Sequence, residues 1–207
     1  MNRKEIKAKA KAQLGGRIFA NNWMLALLVC LIFSAVSYLP NVIPGLGQIG
    51  MIILLGPMTY GLAELFLEQA RDGIAMEVKG IFSGFQKDFA QNFLIMFMSG
   101  LFAFLWGLLF VIPGIVKTYA YSMAYYIKVD HPEYDWHQCI NESKRITKGH
   151  KGELFVLDLS FIGWLIVGAL CFGVGLLWVT PYMNAAKAQF YNELVKKEAP
   201  AVETAAE

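Results

Sequence analysis

Three ionisable side chains stand inside otherwise apolar stretches: Glu64, Lys117 and Asp158. A charge at the centre of a bilayer costs roughly 2.5–3.5 kcal/mol on insertion scales, so such a residue faces water, a partner charge or the interior of a helix bundle. Together the three could form a polar path or a headgroup site between helices, with Glu64 and Asp158 in the inner half of the membrane and Lys117 in the outer half. Each also has a plainer reading, in which it lies within two turns of an interface and snorkels or caps a helix. Other chemistry is scarce. His131, His137 and His150 fall in one polar linker without metal-ligand spacing. No phosphate-cradling glycine loop is present, and no nucleophile has a base beside it. Cys30, Cys139 and Cys171 lack a CxxC pattern and read as small hydrophobes. The expectation is a non-enzymatic protein without metal or cofactor.

The elements that must position these residues are apolar. The chain has 207 residues, 57% of them hydrophobic and 16% charged, with a mean hydropathy of +0.46. No Lys, Arg, Asp or Glu occurs between Asn22 and Ile49, between Asn92 and Ile112, or between Cys171 and Ala186. Soluble helices of that length carry a polar face, so the pattern predicts an all-α, polytopic membrane helix bundle. A net charge of +2 is too small to imply nucleic acid. The expected partners are the lipid bilayer and, through basic segments, anionic lipids or another membrane protein.

Six spans are predicted: Trp23 to Leu39, Ile49 to Leu67, Phe93 to Ile112, Ile115 to Val129, Leu154 to Cys171 and Leu176 to Tyr191. The first is too far from the N-terminus, and too poorly followed by small residues, to be a cleaved signal. Amphipathic segments precede the hairpins and suit the membrane surface. One places Ile6, Ala10, Leu14 and Ile18 at helical spacing, with a solvated tail as its alternative. A second covers Met76 to Asn92, and a third carries Trp136, Ile140 and Ile146. The whole of 1–197 reads as one integral membrane domain. The Ala- and Glu-rich tail 198–207 has nothing to bury and reads as disordered and cytoplasmic.

If all six segments cross, 17 of the 18 Lys and Arg residues share one side and only Lys117 lies opposite. The positive-inside bias makes the basic side, with both termini, cytoplasmic.

A period runs through the chain. Tyr60 with Ala63, Tyr121 with Ala124 and Tyr182 with Ala185 each read Tyr-x-x-Ala, 61 residues apart, early in a returning helix. The six helices then form three hairpin repeats, at about 6–72, 76–130 and 134–197, with Pro113 and Gly114 as the middle turn. Ala would let neighbouring backbones approach, and Tyr would anchor at the interface.

At Ile112-Pro113-Gly114-Ile115-Val116-Lys117-Thr118-Tyr119-Ala120-Tyr121-Ser122-Met123-Ala124 the chain resembles an uncharacterised family of bacterial integral membrane proteins, known only as a domain of unknown function. The resemblance extends to Glu142-Ser143-Lys144, Gly149-His150-Lys151, Leu159-Ser160-Phe161-Ile162-Gly163-Trp164 and Gly175-Leu176-Leu177-Trp178. More loosely, the architecture is similar to the membrane domain of some glycerophosphodiester phosphodiesterases. The resemblance implies a multi-pass plasma membrane protein and supplies no catalytic residues. Two functional expectations follow: a protein that accommodates or moves a lipid or small amphiphile, or a scaffold recruiting partners through basic cytoplasmic helices.

Overall fold

A computed structural model describes residues 3–16, 21–38, 46–170 and 174–203. Ile18, the linker residues 39–45 and the turn residues Cys171, Phe172 and Gly173 lie outside the described residues. Helices α1 (Arg3–Gln13), α2 (Asn21–Tyr38) and α3 (Leu46–Asp72) come first. A 3-10 turn (Val78–Phe82) and the one-turn α4 (Ser83–Gln86) lead into α5 (Phe89–Leu109), α6 (Val111–Tyr121) and α7 (Ala124–Asp130). The last four are α8 (Trp136–Ile146), α9 (Lys151–Leu159), α10 (Ile162–Leu170) and α11 (Val174–Glu203). Among the described residues there is no strand.

The expected all-α architecture is what the chain adopts. Two helices, α2 and α5, are long and apolar enough to cross a membrane. Two other predicted spans are broken, while Ile49 to Leu67 and Leu176 to Tyr191 lie within the unbroken helices α3 and α11. The segment from Leu154 becomes α9 and α10, nine residues each, or about 13 Å apiece. The bend at Ser160 seats Phe161 in the core, edge-on to Tyr182 at 5.1 Å, and the Ser160 carbonyl accepts a hydrogen bond from Lys7 Nζ at 3.0 Å. The segment from Ile115 breaks between α6 and α7. There the Met123 N–H donates to Ser143 Oγ at 3.2 Å, and Met123 is fully buried.

α3 is the central post, with α1, α2, α5, α7 and α11 all packed on it. Its glycines set the spacing: a Cβ at Gly61 would sit 2.4 Å from the Ile81 carbonyl oxygen, so only glycine admits the 3-10 turn this closely. The stretch from Met76 to Asn92 is therefore folded onto α3 through buried Ile81, and does not form one surface helix.

The apolar stripes of α1 and α8 are likewise covered. Ile6, Ala10 and Leu14 are buried, with α1 packed on α11. Cys139, Ile140 and Ile146 are buried where α8 meets α5, α6 and α7. Neither helix presents an apolar face to lipid. The start of α8 is set by a capping box in which Asp135 accepts from the Gln138 N–H at 2.6 Å and Gln138 Oε1 accepts from the Asp135 N–H at 2.9 Å.

Pro113 and Gly114 are not the turn. The chain reverses at Phe110, which is extended (φ −156°, ψ 137°), and Pro113 lies in the first turn of α6 where its missing N–H leaves no partner unsatisfied. Gly114 instead makes the seam of the hairpin, since a Cβ there would lie 2.6 Å from Gly107 Cα. Past Lys197 the helix continues to Glu203. Ala and Glu are strong helix formers, and a helix already nucleated extends through them at little cost.

Candidate functional site

The returning helices converge on a cavity of about 190 Å³. α3 contributes Thr59 and Ala63, the α6–α7 junction Ser122 and Tyr125, and α11 Asn184 and Lys187. These residues adjoin the three Tyr-x-x-Ala segments. Ala63, Ala124 and Ala185 are all buried, as are Tyr60 and Tyr121, while Tyr182 is half-buried. The Tyr182 hydroxyl donates to the Lys7 carbonyl at 3.2 Å, so it binds α1 and not an interfacial water layer. Tyr121 lies against Phe102 at 6.4 Å.

Two of the cavity's hydroxyls already donate to their own helices. Thr59 Oγ1 donates to the Leu55 carbonyl at 2.6 Å and Ser122 Oγ to the Tyr119 carbonyl at 2.9 Å. Lys187 Nζ is 3.7 Å from Asp158 Oδ2, with both groups partly exposed. Asn184 Nδ2 reaches Cys30 Sγ at 3.6 Å. The arrangement can hold a small polar group by hydrogen bonds and one cation, with carbon walls from Leu62 and Phe66.

Glu64, Lys117 and Asp158 do not form one site. Glu64 is buried on the other side of α3, where Ser83 Oγ donates to it at 2.5 Å and Lys87 Nζ at 2.7 Å. Asp158 pairs with the cavity lysine. Lys117 rests over the Trp106 ring at 4.7 Å. Nor is Lys117 on the far side from the basic linker. α8 runs alongside α5, from Trp136 N–H bonded to Gln91 Oε1 at 2.9 Å up to Lys144, whose ammonium lies 5.5 Å from the Tyr121 ring, one turn along from Lys117. Burial, and then the nearby Lys117 charge, hold Lys144 below its ordinary value. The two lysines are neighbours because α8 packs upright on α6, through Ser143 Oγ donating to the Ala120 carbonyl at 2.8 Å.

Below the cavity the three returning helices are tied by a polar knot. Arg71 of α3 donates twice to Asp130 of α7, at 2.6 and 2.8 Å, and once to Asn192 of α11 at 2.8 Å. Tyr191 OH donates to the same aspartate at 2.7 Å. Beside it, Lys128 is 2% exposed and donates to Asp88 Oδ2 and to the carbonyls of Pro132 and Tyr134, all at 2.7–2.9 Å. Sequence reasoning passed over both, since nothing local links residues 59 apart. Their only signal was the position of Arg71 and Asp130 just past the end of an apolar run.

Burial pushes the Cys139 thiol up to about 11, in keeping with an inert hydrophobe. His131 stacks on Tyr134 at 4.5 Å, and His150 pairs with Glu153 at 2.8 Å. Among the described residues no group of three or more His, Cys, Asp and Glu is placed to hold a metal. No curated protein and no solved structure matches, so the likeness to phosphodiesterase membrane domains is carried no further. The family model described as "Protein of unknown function (DUF975)" matches residues 1–117 and again 108–198, and the chain belongs to that family.

Proposed function

We propose that the chain is a multi-pass protein of the bacterial plasma membrane, anchored by apolar hairpins that enter from the cytoplasmic side, and that it accommodates a lipid or small amphiphile without catalysing a reaction. The observation that carries this reading is where the apolar surface lies. The apolar windows of α2 and α5 are only 22% and 11% buried, whereas a soluble core helix buries most of such a window. Phe104, Leu108, Leu109, Phe110, Val111 and Ile112 are exposed together around the α5–α6 turn. A contiguous patch of that kind is unfavourable in water and suits hydrocarbon, where each helix satisfies its own backbone.

The proximity of Lys117 and Lys144 changes the topology to be tested. If Lys117 joins the linkers and both termini, all 18 Lys and Arg residues share the cytoplasmic side. Only about 10 Å of hairpin lies between Lys117 and the turn at Phe110, against a hydrocarbon core of ~30 Å. The α5–α6 tip then enters and returns within the near leaflet, while the α2–α3 pair crosses. A kinship between the second and third units gains support from glycine seams. Gly168 and Gly175 stand 61 residues after Gly107 and Gly114, and a Cβ at Gly175 would lie 2.6 Å from Gly168 Cα, as in the first seam. A scaffold working through free amphipathic faces is the weaker reading, because the stripes on α1 and α8 are covered by protein.

The test uses single cysteines at position 117 or 144 in a background free of Cys30, Cys139 and Cys171. An impermeant maleimide should label both in inside-out vesicles and neither in intact cells. Labelling of position 117 from outside would restore six crossings. Release of the protein from membranes by alkaline carbonate would overturn the bilayer placement itself.

A further inference from the structure

Lys117 on α6 and Lys144 on α8 bring two ammonium groups together over a short aromatic ladder. Lys117 Nζ is 4.7 Å from the centre of Trp106 and Lys144 Nζ 5.5 Å from Tyr121, which itself lies 6.4 Å from Phe102. Trp106 and Phe102 are one turn apart on α5, as are Lys117 and Tyr121 on α6. Among the described residues no carboxylate lies within 4 Å of either lysine. The polar partner of Lys144 is its own neighbour, Asn141 Oδ1 at 3.0 Å. Two other lysines are answered by acids, Lys128 by Asp88 and Lys187 by Asp158, while Lys7, which also lies over an aromatic ring, donates to the Ser160 carbonyl.

Two like charges held side by side raise each other's energy, and Lys144 is held below its ordinary value by burial and by Lys117. An anion between them would relieve the repulsion. Next to this pair the α5 surface is bare hydrocarbon, with Leu105, Leu108 and Leu109 all at least half exposed. An acyl chain laid along that strip would carry an attached phosphate to the level of the lysines.

We propose that Lys117 and Lys144 form a binding site for the phosphate of an anionic phospholipid, whose chains lie on the exposed strip Leu105, Leu108 and Leu109 of α5. The aromatic rings fix the ammonium groups from beneath, and the unpaired charge selects an anionic headgroup over a zwitterionic one. The site rests on the bilayer placement argued above, and it gives the two-faced hairpin a ligand: charge at the surface, hydrocarbon at the tip. It is separate from the cavity between the returning helices, which Asp158 already neutralises at Lys187.

The full chain, purified in a neutral maltoside detergent, would be titrated with phosphatidylglycerol or with phosphatidylcholine of the same chains, and bound lipid counted by native mass spectrometry. Phosphatidylglycerol should be held about thirtyfold more tightly, the order expected for two lysines near an anionic headgroup. Lys117→Gln with Lys144→Gln should remove the preference, and Lys117→Arg with Lys144→Arg should keep it. Lys79→Gln with Lys197→Gln, which removes the same net charge from exposed positions elsewhere, should also keep it. Equal binding of the two lipids by the wild-type protein, or an unchanged preference in the Gln pair, would overturn the site alone. Binding of neither lipid would overturn both the site and the bilayer placement.

Discussion

The lower half of this molecule and its hairpin tips solve the same problem, satisfying a polar backbone, in opposite ways. At the base, polar side chains cross between helices: Arg71 to Asp130 and Asn192, Lys128 to Asp88 and two loop carbonyls, Gln189 through Gln13 to the Phe66 carbonyl. Large apolar groups such as Phe66, Phe190 and Tyr191 fill the space between. At the tips no side-chain hydrogen bond crosses from helix to helix among the described residues. Glycine seams at Gly107 with Gly114 and Gly168 with Gly175 let backbones touch, and the apolar side chains point outward. Such a change of strategy fits the bilayer placement proposed above, in which the solvent changes along the length of the chain. On that reading water and protein surround the base, where burial stabilises. Hydrocarbon suits the tips, where an exposed Leu gains nothing from burial and close packing does the joining.

The comparison is broken most directly by truncating one large side chain in each region. Phe66 is 1% exposed beneath the cavity and Leu108 is 75% exposed at the tip. Phe66→Ala should cost about 3–5 kcal/mol, through lost transfer energy and the void left behind. Leu108→Ala should change stability by less than about 0.5 kcal/mol. Thermal unfolding in detergent, followed by circular dichroism, measures both. Comparable losses at the two positions would mean that the tip is packed in the native protein and that the two-solvent picture is wrong.

A smaller effect is expected from the knot. Arg71→Ala leaves the Asp130 carboxylate, only 16% exposed, with Tyr191 as its remaining donor, and should destabilise by about 2–3 kcal/mol. Removing both partners should cost less than the sum of the single changes, because the stranded charge disappears with its partner. The double-mutant cycle measures that coupling, and additivity within about 0.5 kcal/mol would show that the knot does not tie the helices together.

How much of this was legible in the sequence follows the same division. The apolar runs, the stripe Ile6, Ala10 and Leu14, and the buried Ala63, Ala124 and Ala185 are local or periodic signals, and all-helical structure follows from them. What the stripes meet is not a local property. A stripe such as Cys139, Ile140 and Ile146 suits a lipid surface as well as it suits α5, and only the fold decides. The three suspect charges misled for a related reason. Glu64, Lys117 and Asp158 were grouped because they interrupt apolar runs, yet Lys87, Trp106 and Lys187 settle them separately. The helix breaks at Ser122 and Ser160 were hidden because Ser, Met and Phe fit an apolar span. Their cause is a distant partner, Ser143 for one and Lys7 for the other. Lys128 was hidden most completely, since no pattern marks a lysine whose ammonium is enclosed by a loop still to come.

The last prediction separates the two regions by acid. Between Asn92 and Ile112 the chain carries no Asp, Glu, Lys or Arg, so the α5 tip has nothing to titrate. At the base Lys9 of α1 donates to Glu193 of α11 and, with Lys196 and Lys197 adding to it, holds that carboxyl below its ordinary value of 4.5. A depressed carboxylate stabilises the folded state above the unfolded value, and that contribution is lost as pH falls through the folded one. The pair is substantially exposed, 47% at Lys9 and 26% at Glu193, so solvent screening limits the effect to roughly 0.2–0.5 kcal/mol. The stability difference between wild type and Glu193→Gln should therefore be flat from pH 7 to about pH 5 and close towards zero near pH 3. A difference that survived at pH 3 would assign the effect to side-chain packing between α1 and α11, with no share for the charge that joins them.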